Sequence, residues 1–71
     1  MKARVGREGT LYGYVEVDRD GNVAYSGARA FAVQLTVEAV ADSVKRPIDV
    51  SLVRDMPNIL HGRQWAEIVE S

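Results

Sequence analysis

Few residues of this chain are of a type and spacing that could do chemistry. His61 is its one histidine, and so the one side chain whose ordinary pKa lies near neutrality. A general base also needs a defined pocket and a substrate group within hydrogen-bond reach. A chain of 71 residues has little room for a pocket of roughly 300 Å3 or more, and His61-Gly62-Arg63 reads as an exposed loop. Asp18, Asp20 and Asn22 alternate as calcium ligands do. Yet Gly21 precedes Asn22 where a calcium loop needs its glycine afterwards, and no Glu closes a twelve-residue loop. A hairpin turn explains the same residues. Ser26, Ser43 and Ser51 stand in no nucleophile elbow, and the glycines form no phosphate-cradling loop ahead of a helix. The absence of Cys removes disulfides and thiolate metal sites, and a lone His leaves zinc without ligands. The chain therefore reads as non-enzymatic, with no cofactor and no metal.

What remains is surface chemistry. Phe31 and Leu35 are four residues apart in a segment of helical pattern, on the side opposite a stripe of valines. Either the N-terminal segment or the Ile59-Leu60 loop folds over this pair, or a partner covers it; aromatic and aliphatic anchors of this kind often dominate interface energetics. Tyr12 and Tyr14 alternate along a strand and should share the face turned away from the helix. With Trp65 they are the next candidates for a partner interface, since Tyr and Trp combine large contact area with a polar tip. Base stacking on such a sheet is a special case, but the Lys/Arg-Gly-Phe/Tyr signature that would make it specific is missing. Lys2, Arg4, Arg7 and Arg63, with His61 nearby, would form a phosphate-facing patch if the chain termini meet; otherwise they are scattered solubilising charge.

These residues must be positioned by a small number of elements. Ala3 to Val5 suits a short strand, ended by Gly6-Arg7-Glu8-Gly9. Thr10 to Val17 alternates, with Leu11, Gly13, Val15 and Val17 on one face and Tyr12, Tyr14 and Glu16 on the other. After it, Asp18-Arg19-Asp20-Gly21-Asn22 marks a hairpin. A two-residue Asp20-Gly21 turn would set Tyr25 beside Glu16. A three-residue loop with Gly21 left-handed sets Val23 opposite Val17 and Tyr25 opposite Val15, which gathers the apolar residues on one face and is preferred.

A helix follows from about Ala28 to Lys45, capped by Ser26 or Gly27 and stopped by Pro47, with Val33, Val37, Val40 and Val44 as its buried stripe. Lys45 and Arg46 at its end suit the helix dipole. Ile48 to Asp55 returns to period two, with Ile48, Val50 and Leu52 against Asp49, Ser51 and Val53, and reads as a strand ended by Met56-Pro57-Asn58. Gln64 to Glu70 fits both periods, and strand is preferred. The expected fold is α+β: a small antiparallel sheet in β-β-α-β-β order, with a possible extra strand at the start and one helix packed on one face. Residues 1–71 form a single domain.

Composition narrows the classes further. Apolar residues at 46% and charged residues at 27% are ordinary for a globular chain and argue against disorder. A net charge of −1 argues against a dedicated nucleic-acid binder, whose affinity rests on basic side chains. No stretch approaches the roughly 20 apolar residues that span a bilayer and no signal-like run follows Met1 to Arg7, so a cytoplasmic location is expected. A core this small is often supplemented by a second subunit. Seven Arg against two Lys, with abundant Val and Ala and scarce Ile and Asn, resembles proteins of GC-rich bacteria such as actinobacteria and their phages. The element order is similar to that of several small bacterial and phage domains. That resemblance implies a small accessory protein and carries no functional residue. The expectation is a protein–protein interaction module: a homodimer, a modulator of a host protein, or both. The second reading is a nucleic-acid-binding regulator using the arginines and the tyrosine face.

Overall fold

The computed structural model describes all residues, 1–71, and gives the order β1 (Lys2–Arg7), β2 (Thr10–Val17), β3 (Val23–Ser26), α1 (Ala30–Val44), α2 (Val50–Ile59) and β4 (Gln64–Glu70). The four strands form one antiparallel sheet in the order β3-β2-β1-β4. The fold is α+β with an extra leading strand, as read from the sequence, but it carries two helices on the sheet rather than one.

The β2–β3 hairpin adopts the three-residue loop. Val17 pairs with Val23 and Val15 with Tyr25. The loop is closed by the Asp18 amide donating to the Asn22 carbonyl at 3.1 Å, and Gly21 supplies the left-handed residue at φ 84°. The Asp18 carboxylate accepts from the backbone amides of Asp20 and Asn22, each at 2.9 Å.

The expected strand over Ile48 to Asp55 is instead α2. Asp49 is extended, and its carboxylate accepts from the Leu52 amide at 2.9 Å, which caps the helix start. Leu52, Val53 and Met56 then fall on one buried face. Val50 and Leu52 share a face in period two but stand about 200° apart at 100° per residue; Leu52, Val53 and Met56 are buried together, which a helix allows and an alternating strand does not. Pro57 is tolerated inside α2 because it lies in the last turn, where it removes a single hydrogen bond. Arg46, in the connection after α1, ties that connection to α2, donating to Asp55 at 3.0 Å and to the Ser51 hydroxyl at 2.8 Å.

The cap of α1 also differs from expectation. Ser26 is committed to β3 opposite Tyr14, and Gly27 crosses Gly13 so closely that a Cβ on Gly27 would lie 2.6 Å from the Gly13 Cα. The helix therefore begins later, with Arg29 at the cap position and no side-chain cap. At the other end Lys45 takes the left-handed conformation at φ 56°, so it closes the helix rather than sitting within its last turn.

One core lies between the sheet and both helices. Ala3, Val5, Val15, Val17 and Ala66 meet Val33, Val37, Val40 and Ala41 of α1 and Leu52, Val53 and Met56 of α2. The other face of the sheet has no layer over it. β3 and β4 are its two edges, and β4 pairs with β1 alone.

Candidate functional site

Two surfaces collect the candidate residues: the outward side of α1 and the open face of the sheet. On α1, Val33, Val37 and Val40 of the expected stripe are buried and Val44 is half-buried. Phe31 remains 72% exposed and Leu35 51% exposed. Ile59 and Leu60, which could have covered them, pack instead against the core. The N-terminal segment is occupied as β1, paired on both sides. At 100° per residue, Phe31, Leu35, Glu38 and Asp42 form one line along the helix. Its N-terminal half is apolar and its C-terminal half acidic.

Within α1 no acidic residue stands in the first turn and no basic residue in the last; the cations that suit its dipole are the cap residue Lys45 and Arg46 just beyond it. Arg29 begins the helix, with its guanidinium 5.7 Å from the centre of the Tyr12 ring. Neither Arg29, Glu38 nor Asp42 belongs to any of the three ion pairs of the chain. Glu38 accepts a hydrogen bond from the Gln34 amide at 3.2 Å. Burial, and secondarily the Glu38 charge, raise the pKa of Tyr25 above its ordinary 10.0.

The open sheet face is built differently. The register gives three cross-strand rows: Glu16–Lys2–Glu70, Tyr14–Arg4–Glu67 and Leu11–Gly6–Trp65. Each large ring is engaged by its own chain. Trp65 lies over Gly6, where any Cβ would collide with the indole, and its Nε1 donates to the Glu8 carbonyl at 2.7 Å. Lys2 sits 5.0 Å from the centre of the Tyr14 ring.

A bulge in β2 alters the expected pattern. Val5 pairs with Gly13 and Gly6 with Leu11, so Tyr12 is the extra residue. Leu11 is thereby taken out of the Val15 row and left 42% exposed. The alternation expected to set Tyr12 beside Tyr14 is interrupted: Tyr12 packs against the core's edge, and its carbonyl accepts from the Arg29 amide at 2.8 Å. The expected common face of the two tyrosines thus gives way to two separate surroundings.

The cations do not form one free patch. Arg4 is paired with Glu67 at 2.9 Å and Arg63 with Glu8 at 3.5 Å, while Lys2 has a glutamate opposite it on each neighbouring strand. Arg7 ends β1 at the rim and is exposed. His61 is exposed at the mouth of a shallow groove of about 260 Å3, between α1 and the start of β4. Thr36, Ala39, Val40, Ile59 and Leu60 line that groove, and no carboxylate does, so nothing there orients the imidazole as a general base. No group of three or more His, Cys, Asp or Glu is placed to hold a metal ion. No helix is long and apolar enough to cross a membrane.

No family model, curated protein or solved structure matches this chain. The site must be read from its own geometry.

Proposed function

We propose that this chain is a small non-enzymatic protein–protein interaction module that works through the outward face of α1 and self-associates there. The observation that carries the reading is Phe31, 72% exposed beside a half-exposed Leu35, on a chain whose other large aromatic rings are each engaged by a neighbouring residue. A residue buried in this way on association removes apolar surface worth about 25 cal/mol per Å2, and a central aromatic is a frequent energetic anchor. An interface built on one helix face is smaller than the standard of about 800 Å2 per partner, the size class of transient contacts. A modulator of a host protein, encoded by a phage of a GC-rich host, is the setting that the Arg-rich composition and small size fit.

The nucleic-acid reading is the weaker one. The two rows that hold Lys2 and Arg4 also hold Glu16, Glu67 and Glu70, so this face has little net positive field for phosphates.

Light scattering from about 1 μM to about 1 mM tests the proposal. The expected result is a concentration-dependent dimer that Phe31→Asp converts to a monomer with unchanged circular dichroism. Retention of the dimer by Phe31→Asp, or a wild type monomeric throughout, would overturn it. Association that strengthens when nucleic acid is added and weakens steeply with salt would favour the second reading instead.

A further inference from the structure

We infer that the outer edge of β4 accepts an extended segment of another protein, bound antiparallel, with basic side chains opposite Glu67 and Glu70. This surface is separate from the α1 face, and neither reading depends on the other.

The backbone fixes where such a segment bonds. The Glu8 amide donates to the Arg63 carbonyl, so the backbone of Arg63 turns toward β1. In an antiparallel sheet, successive residues bond to opposite sides. Trp65 and Glu67 therefore bond to β1, opposite Gly6 and Arg4, and Gln64, Ala66 and Ile68 direct their amides and carbonyls outward. The far side of β1 gives the same phase. The Val17 amide donates to the Met1 carbonyl, which assigns Met1, Ala3 and Val5 to β2 and leaves Arg4 and Gly6 to β4. Strand addition draws its affinity from outward main-chain groups of this kind and its specificity from alternate side chains.

The side chains select the occupant. Two rows of the open face reach this edge in carboxylates, Glu16–Lys2–Glu70 and Tyr14–Arg4–Glu67. Val69 is the extra residue of a bulge, and this brings Glu70 opposite Lys2. The two rows hold three carboxylates and two cations, so cations placed next to Glu70 and Glu67 extend the alternation of sign, and opposite charges across strands stabilise. A second copy fits less well: turned antiparallel about Ala66, it would offer its Arg63 but bring its own Glu67 and Glu70 with it. On the helix side of the sheet, Ile68 is exposed and Ala66 is small and buried, which suits apolar residues opposite both. The fitting segment thus alternates basic and apolar residues, with one cation opposite Glu70 and the next opposite Glu67.

The test uses the blocked hexapeptide KVKVLT, whose lysines would stand opposite Glu70 and Glu67, titrated into the isotope-labelled Phe31→Asp variant. By NMR it should shift the amides of Gln64, Ala66 and Ile68 and slow their hydrogen exchange. The amides of Trp65 and Glu67, already bonded to β1, should keep the protection they have without peptide. The acidic counterpart EVEVLT should bind about tenfold more weakly, and Glu70→Lys should narrow that difference. Ile68→Pro removes one outward donor without touching the β1 ladder and should weaken KVKVLT about tenfold, with circular dichroism unchanged. No response of the three amides at millimolar peptide, or equal binding of the two peptides, overturns the proposal. Shifts at the same amides on raising protein concentration alone would give the edge to a second copy and overturn it too. The Phe31→Asp background keeps the readings apart: a dimer that persists there counts against the α1 face, whereas peptide binding reports on the β4 edge alone.

Discussion

The outward face of α1 and the open face of the sheet carry similar residue types and differ in what their own chain does with them. On the sheet, Trp65 covers Gly6 and donates to the Glu8 carbonyl, and Tyr14 lies beneath Lys2. On the helix, Phe31 stands 72% exposed with no ring or cation against it. Composition alone would rank Trp and two Tyr above one Phe as interface anchors. The comparison teaches that the decisive quantity is unused surface: a ring already engaged stabilises the fold, and one left free has its contact energy available for a partner.

Exchanging the roles is the largest test of that contrast. Trp65→Ala should destabilise the fold by about 2–3 kcal/mol in urea titration, below the range for a fully buried Trp because this ring is half-exposed. The dimer constant should stay unchanged. Phe31→Ala should do the opposite, altering stability measured at low protein concentration by less than about 0.5 kcal/mol and weakening association at least tenfold. If both changes act on the same property, the two faces are not distinct.

Gly6→Ala sharpens the sheet side. The new methyl would meet both the Trp65 ring and the Thr10 carbonyl, and a cost of about 1–3 kcal/mol is expected from overpacking. The fluorescence of Trp65 should report its displacement. Full stability in this variant would show that the indole is not held there. Arg4→Ala should cost less than about 1 kcal/mol, since the Arg4–Glu67 pair is largely solvated. A larger loss by thermal melting would make charge, rather than ring contact, the main support of this face.

The smallest effect lies outside both faces and serves as a control. Hydrogen bonds to the Asp18 carboxylate, first from the Asn22 backbone, hold its pKa below the ordinary 3.8. A depressed folded-state value means the contribution is complete above pH 3.8 and fades as the pH falls below it. The stability gap between wild type and Asp18→Asn should therefore be present at neutral pH and close in acid. A gap independent of pH would remove the carboxylate from the account.

Much of this architecture could be read from residue order. The hairpin register followed from Gly21 and from the need to keep Val15, Val17, Val23 and Tyr25 on one face. Those constraints are local, and a slip by one residue is costly. The valine stripe of α1 and the strand at Gln64–Glu70 were legible for similar reasons. The bulge at Tyr12 was not, because it is set by the Gly13–Gly27 crossing and by the Arg29 amide reaching the Tyr12 carbonyl, contacts between residues distant in the chain. The α2 segment was misread because Ile48, Val50 and Leu52 alternate as a strand does. Asp49, three residues before Leu52, was the available sign of a capped helix. The unused surface at Phe31 and Leu35 was visible as an excess of apolar residues on one helix. That the chain's own loops leave it bare came only from the fold.

The outer edge of β4 has a consequence for handling the protein. Along the strand Gln64–Glu70 the backbone groups of alternate residues point outward without a strand partner, with Ile68 and Val69 exposed beside them, and such an edge is a template onto which further chains can add. Glu67 and Glu70 are the gatekeepers on that strand: in an antiparallel self-pairing centred at position 67, the two copies of Glu67 would repel each other directly. Replacing Glu67 by an uncharged residue would remove that repulsion and leave this edge least guarded against growth into cross-β fibrils.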